Sequence, residues 1–139
     1  MDMPKTVKSI RSIAKDTREW AEEISVQYED SDEEHLSCLC AITSFEIFTF
    51  LLSYGFKPEF VHNRCHCFVE VNGYIVDITA SQFNSKLPKI IVRKRKNLPA
   101  RDREIWEPLF RCTTPKQIKK SLHDWPDEQQ PIPIQKRYI

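Results

Sequence analysis

Three side chains of complementary chemistry stand out: the Cys40 thiol, the His66 imidazole and the Asp77 carboxylate. A thiolate attacks an acyl carbon, an imidazole carries the proton, and a carboxylate orients and charges the imidazole. Cys40 opens the most apolar run of the chain. The run Cys40 to Tyr54 has the length and pattern of a helix, and a helix N-terminus favours a thiolate through its free N–H groups and dipole. The N–H of Cys40 itself would serve as one donor to an oxyanion. His35, Ser37 and Gln82 are the polar candidates for the second.

The other two residues belong to a predicted β-hairpin within RCHCFVEVNGYIVDITASQF, residues 64–83. Both His66 to Val71 and Tyr74 to Thr79 alternate. Between them lies Asn72-Gly73, suited to a type I′ turn with positive φ at both central positions. A two-residue turn fixes the register, so Val71 faces Tyr74, Phe68 faces Asp77 and His66 faces Thr79. His66, Phe68 and Glu70 then share a face with Ile75, Asp77 and Thr79. His66 and Asp77 become diagonal neighbours, roughly 6–8 Å apart at Cα. Cys67 alternates to the opposite face and is assigned to the core. Glu70 shares the His66 face but sits near the turn and is assigned to solvent. Each residue also has a plainer reading: an inert buried cysteine, a structural histidine, an aspartate capping a turn. It is the combination that points to chemistry. Cys38 is a rival nucleophile.

Around this centre the chain reads as α+β. In Lys5 to Tyr28, residues Val7, Ile10, Ala14, Thr17, Ala21, Ile24 and Tyr28 form one stripe at helical spacing, with Lys, Arg and Glu opposite. EDSDEE, residues 29–34, reads as a solvated acidic loop. Ala41, Phe45, Phe48 and Leu52, widened by Ile42, Ile47, Phe50 and Leu51, predict a nearly fully buried second helix ending at Gly55. Phe56 to His62 and Lys89 to Arg95 read as strands, the latter with a solvated basic end. Ser81 to Pro88 reads as a loop and Arg101 to Phe110 as a short helix. Thr114-Pro115-Lys116-Gln117 is a capping box with Pro at the first helical position, opening a helix to about His123. The expected organisation is a single domain over 1–125 and a Pro-rich extended tail over 126–139.

The chain has 139 residues, 40% hydrophobic and 29% charged, with a formal net charge of +1. That composition supports one core and gives no global argument for nucleic acid. The basic run Arg93 to Lys96 lacks interleaved aromatics, so nucleic-acid binding is not expected. Leu36 to Phe56 is interrupted by Ser, Thr and Glu46, and no membrane span is expected. The N-terminal MDMPKTVKS has no apolar h-region, so no secretory signal is expected. Five cysteines in that setting suggest reduced thiols in a cytosol, that of the cell itself or of a host. With two glycines, Gly55 and Gly73, there is no phosphate-binding loop. Zinc is the competing use of the thiols: Cys38-x-Cys40 and Cys65-x-Cys67 lie near His62 and His66 in sequence. Yet C-x-C is atypical for a structural site, and Cys38 and Cys40 would diverge on a helix. The reading is therefore no metal and no cofactor.

SCLCAITSFEIFTFLLSYGF followed by HCFVEVNGYIVDITASQF resembles the papain-like and transglutaminase-like cysteine enzymes, and more closely small bacterial and phage proteins of that type. Their pattern maps onto Cys40, Ala41, Ser44, His66, Glu70, Gly73, Asp77, Thr79, Gln82 and Phe83. It spans Leu36 to Phe83, roughly a third of the chain. Cys38 stands where that group often has Gly. The resemblance implies a papain-like α+β domain with a central helix carrying Cys40, packed on an antiparallel sheet carrying His66 and Asp77. It implies a thiol hydrolase of peptidase, isopeptidase or amidase type acting on a protein or peptide through an acyl-enzyme. The alternatives are a transglutaminase-like acyltransferase or deamidase, and a non-catalytic binding module or inhibitor on the same fold.

Overall fold

A computed structural model of the chain describes residues 3–28, 31–36, 39–63 and 65–123. Ser37, Cys38 and the 126–139 tail therefore lie outside the described residues. Among those described, three α-helices and five strands form an α+β domain: α1 (Met3–Ser25), α2 (Cys40–Ser53), β1 (Glu59–His62), β2 (Cys67–Val71), β3 (Tyr74–Asp77), β4 (Ile91–Lys94), β5 (Phe110–Cys112) and α3 (Pro115–His123). The sheet is antiparallel, in the order β4-β3-β2-β1-β5. No helix is long and apolar enough to cross a membrane among the described residues.

The hairpin has the predicted register, with Val71 opposite Tyr74 and Val69 opposite Val76. Asn72 at φ 52° and Gly73 at φ 81° supply the two positive φ angles of the turn. Alternation then sends side chains to two cores. Phe45, Phe48 and Leu51 of α2 pack with Cys67, Val69, Val71 and Val76, joined by Ile10 and Ala14 of α1 and Ile118 of α3. The opposite face carries Val61, Phe68, Ile75 and Ile91, covered by Leu87, Leu98 and Trp106. Both faces of the sheet thus carry a buried core.

The helix ends follow from sequence. At the end of α2, Gly55 adopts φ 89°; its N–H reaches Leu52 O at 3.0 Å and the Phe56 N–H reaches Leu51 O at 3.0 Å. This is a Schellman closure. At the start of α3, the Gln117 N–H donates to Thr114 Oγ1 at 3.2 Å, while Gln117 Oε1 accepts the Thr113 N–H at 2.8 Å.

Several elements depart from the expected ones. α2 is buried from Cys40 to Phe48, but Phe50 and Leu52 reach the surface. Residues 100–106 form a 3₁₀-helix, and Phe110 opens β5 instead of closing a helix. The loop after β3 starts with a 3₁₀ turn at Ala80–Gln82. Arg95 is not a solvated strand end: its guanidinium donates to Trp106 O at 2.6 Å and pairs with Glu70, which Arg111 also holds. Glu70 is accordingly half-buried; burial opposes its ionisation, but Arg111 and Arg95 outweigh this and lower its pKa.

Arg18 is the largest departure. Expected on the polar side of α1, it is 3% exposed. Its guanidinium donates to Ile78 O at 2.7 Å, Glu33 O at 2.9 Å, Glu34 O at 2.5 Å and Glu22 Oε2 at 2.7 Å. A buried cation is tolerable only when its donors are filled. Arg18 thereby ties the acidic loop to the exit of β3, through the loop's carbonyls and not its carboxylates.

Candidate active site

His66 immediately precedes β2, in a turn built by Asn63. Asn63 Oδ1 accepts the N–H groups of Cys65 at 3.0 Å and His66 at 2.9 Å, and its own N–H reaches His66 O at 3.2 Å. The Asn63 amide in turn donates to Ile105 O at 3.2 Å. The turn is thus anchored to the segment that ends in Trp106.

Asp77 closes β3. Its Oδ2 accepts from His66 Nε2 at 2.6 Å and from the Trp106 indole at 2.9 Å; its Oδ1 accepts the Thr79 N–H at 2.9 Å. One Asp77 oxygen thus holds the His66 ring and the other caps the turn to Thr79. Burial opposes its ionisation, but the His66 charge and these donors hold the carboxyl below the usual aspartate range. Because a carboxylate only accepts, His66 carries a proton on Nε2.

Nδ1 is the other nitrogen of His66. It is buried and has no formed hydrogen bond, so it is the nitrogen left for Cys40. Cys40 and His66 lie close enough to shift each other, the thiol down and the imidazole up. Burial works against an imidazolium, yet the Asp77 carboxylate and then Cys40 raise the His66 pKa to about 10.

Cys40 is the first residue of α2, 5% exposed. Leu36, at φ 53° and fully buried with Leu39, Ile42 and Ala21, bends the chain into this helix. A left-handed leucine is strained by on the order of 1–2 kcal/mol. Leu39 precedes α2 without a side-chain cap bond, so among the described residues the N-cap takes none of the helix's first N–H groups, which favour an anion. The Cys40 thiol is lowered to about 5. The largest cause is a hydrogen bond from the Cys67 thiol; burial opposes it, and His66 and the Cys67 N–H add to it. Cys67 itself is pushed well up, by burial and by its thiolate neighbour, and remains the protonated donor.

The structure therefore brings Cys40, His66 and Asp77 together. The expected core thiol, Cys67, is in the core and also touches Cys40, a role that strand alternation alone did not reveal. Trp106 and Asn63 are further residues of the site not anticipated from sequence. Phe83 sets its ring edge-on to His66, with centroids 4.9 Å apart.

The oxyanion candidates fare differently. His35 Nδ1 pairs with Ser81 Oγ at 3.2 Å, and its Nε2 lies 3.7 Å from Glu34. His35 is thus engaged as a fastener of the loop before α2. Gln82, next to Ser81, ends the 3₁₀ turn at that junction. Ser37 and the rival Cys38 lie outside the described residues. His62, a candidate zinc ligand, turns away to Ser121 Oγ at 2.5 Å and stacks on Phe110. No three His, Cys, Asp or Glu side chains converge as a metal site among the described residues.

No protein-family model, curated protein or solved structure matches the chain.

Proposed function

We propose that this protein is a papain-like cysteine hydrolase, acting on an amide of a protein or peptide through an acyl-enzyme on Cys40. The observation that carries the reading is the buried His66–Asp77 pair at 2.6 Å, whose imidazole leaves Nδ1 for a thiol at a helix N-terminus. Between about pH 5 and pH 10 the resting pair is thiolate and imidazolium.

In this mechanism the Cys40 sulfur attacks the acyl carbon, and the carbonyl electrons move to oxygen, where the free N–H groups of α2 receive them. The tetrahedral intermediate collapses as His66 Nδ1 gives its proton to the leaving amine, so the C–N bond breaks and a thioester remains. Neutral His66 then takes a proton from water, the hydroxide oxygen adds to the thioester, and the carboxylic acid leaves as the thiolate returns. Asp77 stays ionised throughout and holds the ring. An amine in place of water completes a transfer, and a glutamine side chain as substrate completes a deamidation.

The test uses p-nitrophenyl acetate with mass mapping of the acetylated residue. The expected outcome is transient acetylation of Cys40 with continued release of p-nitrophenol, and none with Cys40→Ala. Acetylation spread over several residues, or unchanged release by Cys40→Ala, overturns the reading. The burial of Cys40, 5% exposed, favours one alternative, a non-catalytic binding module. For that module Cys40 stays unmodified although the protein is folded.

A further inference from the structure

Away from the triad, α1 and α2 leave a groove between them. Trp20 belongs to the small core with Leu39 and Ile42 near the start of α2, while Ile13 and Asp16 meet Tyr54 at its end. A cavity of about 200 Å³ opens there, with Trp20, Phe50 and Tyr54 as aromatic walls and Asp16 and Glu46 as its charged groups. Phe50 is 44% exposed and Tyr54 68%. Large rings in one patch on the surface are unusual unless something covers them. The groove continues past Tyr54 to Ser9, Ser12 and Phe56. Among the described residues, no lysine, arginine or histidine lines either part.

We propose that this groove binds a cationic side chain, a lysine ammonium or an arginine guanidinium, presented by an extended segment of a partner protein. The lining selects the charge. Aromatic faces attract a cation held over them, and carboxylates beside the rings add to that attraction. The long apolar stem of lysine or arginine packs on the rings while its head meets the acids. An anion would face the exposed Asp16 carboxylate, and a wholly apolar ligand would cover that carboxylate without replacing its water. The length selects a segment over a free amine. Ser9 to Trp20 spans about 16 Å of helix at 1.5 Å per residue. About five extended residues cover that distance at 3.3 Å each, and the hydroxyls of Ser9 and Ser12 stand where a peptide backbone would run. Nothing in the site depends on Cys40, so the inference goes beyond the proposed hydrolase and stands without it.

The experiment titrates the whole protein, as Cys40→Ala to avoid turnover, with an alanine-based pentapeptide bearing a central arginine. The same peptide with citrulline is isosteric and neutral. Amide resonances in a ¹⁵N spectrum report the site. The expected result is saturable shifts at Asp16, Trp20, Glu46, Phe50 and Tyr54, with citrulline binding at least about tenfold weaker. Asp16→Asn and Phe50→Ala, both at exposed positions, should each weaken binding several-fold. Equal binding of the two peptides, shifts centred elsewhere, or full affinity in Asp16→Asn overturns the proposal. So do concentration-dependent shifts at these residues without peptide, which make the groove a contact between two copies of the chain.

Discussion

His66 Nε2 and Asp77 Oδ2 stand 2.6 Å apart with both side chains 1% exposed. Water does not screen such a pair, so the carboxylate acts on the imidazole at short range and low dielectric. Its influence passes through the imidazolium to the Cys40 thiolate.

Asp77→Asn should therefore change the pH dependence of Cys40 more than the fold. The sign follows from the chain of charges: without the carboxylate the imidazolium is less stable, and without the imidazolium the thiolate is less stable. The Cys40 pKa should rise from about 5 toward the ordinary thiol value of about 8.5. Iodoacetamide labelling of Cys40 should then lose its plateau below neutral pH, by at least about tenfold in rate at pH 6.5. The exposed Cys65 is the internal control. An unchanged profile in folded Asp77→Asn would leave Asp77 a structural cap on the turn to Thr79.

Cys67 separates a packing role from a hydrogen-bonding one. Cys67→Ala and Cys67→Ser both remove the sulfur from the core, at a cost of about 1 kcal/mol or somewhat more. Only the serine retains a side-chain donor toward the Cys40 thiolate. The labelling plateau of Cys40 should move to higher pH in Cys67→Ala and stay nearer the wild type in Cys67→Ser. Equal profiles in the two variants would assign Cys67 to packing alone.

How much of this was legible in the sequence depends on range. The hairpin was, because Asn72-Gly73 can take the two positive φ angles and thereby fixes every pair in β2 and β3. The α3 cap was, because Thr114 and Gln117 settle it within four residues. The contact of Cys67 with Cys40 was not: alternation assigns a face, and what meets that face depends on how α2 docks. Trp106 comes from a 3₁₀ segment 29 residues beyond Asp77, with no periodicity to announce it. β5 is three residues, two of them exposed, too short for an alternating signal. Arg18 lies four residues after Ala14 and three before Ala21, so the helical stripe brushes it; charge type alone placed it outside.

Arg18 joins the loop that leads to α2 to the backbone just after Asp77. Arg18→Met should leave the carbonyls of Ile78, Glu33 and Glu34 without their donor, a loss of roughly 2–4 kcal/mol. Arg18→Lys keeps the charge but cannot fork to three carbonyls and Glu22, and should lose less. Urea midpoints rank the three proteins as wild type, lysine, methionine. A methionine variant as stable as the wild type would show that these bonds add nothing net to folding.

Trp106 isolates the second donor to Asp77. Its side chain is fully buried, and its indole N–H is 2.9 Å from the same oxygen that His66 engages. Trp106→Phe keeps an aromatic ring against Leu98 and Phe68 but removes that N–H. A hydrogen bond to a charged acceptor is worth about 1.5–3 kcal/mol, and the smaller ring adds a cavity term, so the urea midpoint should fall. The electrostatic consequence has a definite direction. Asp77 loses one of the donors that hold its pKa down, so its carboxyl should protonate at higher pH. The Asp77 carboxyl carbon, followed by ¹³C NMR, should then titrate at higher pH than in the wild type, while the acid limb of Cys40 labelling stays where the thiol itself titrates, at about 5. Above that range His66 still bonds the carboxylate, and the rate should match the wild type. This separates Trp106→Phe from Asp77→Asn, which depresses labelling across the neutral range. A variant destabilised as expected but with the wild-type Asp77 carboxyl titration would make Trp106 a packing residue of the sheet face and leave the orientation of Asp77 to Thr79 and His66.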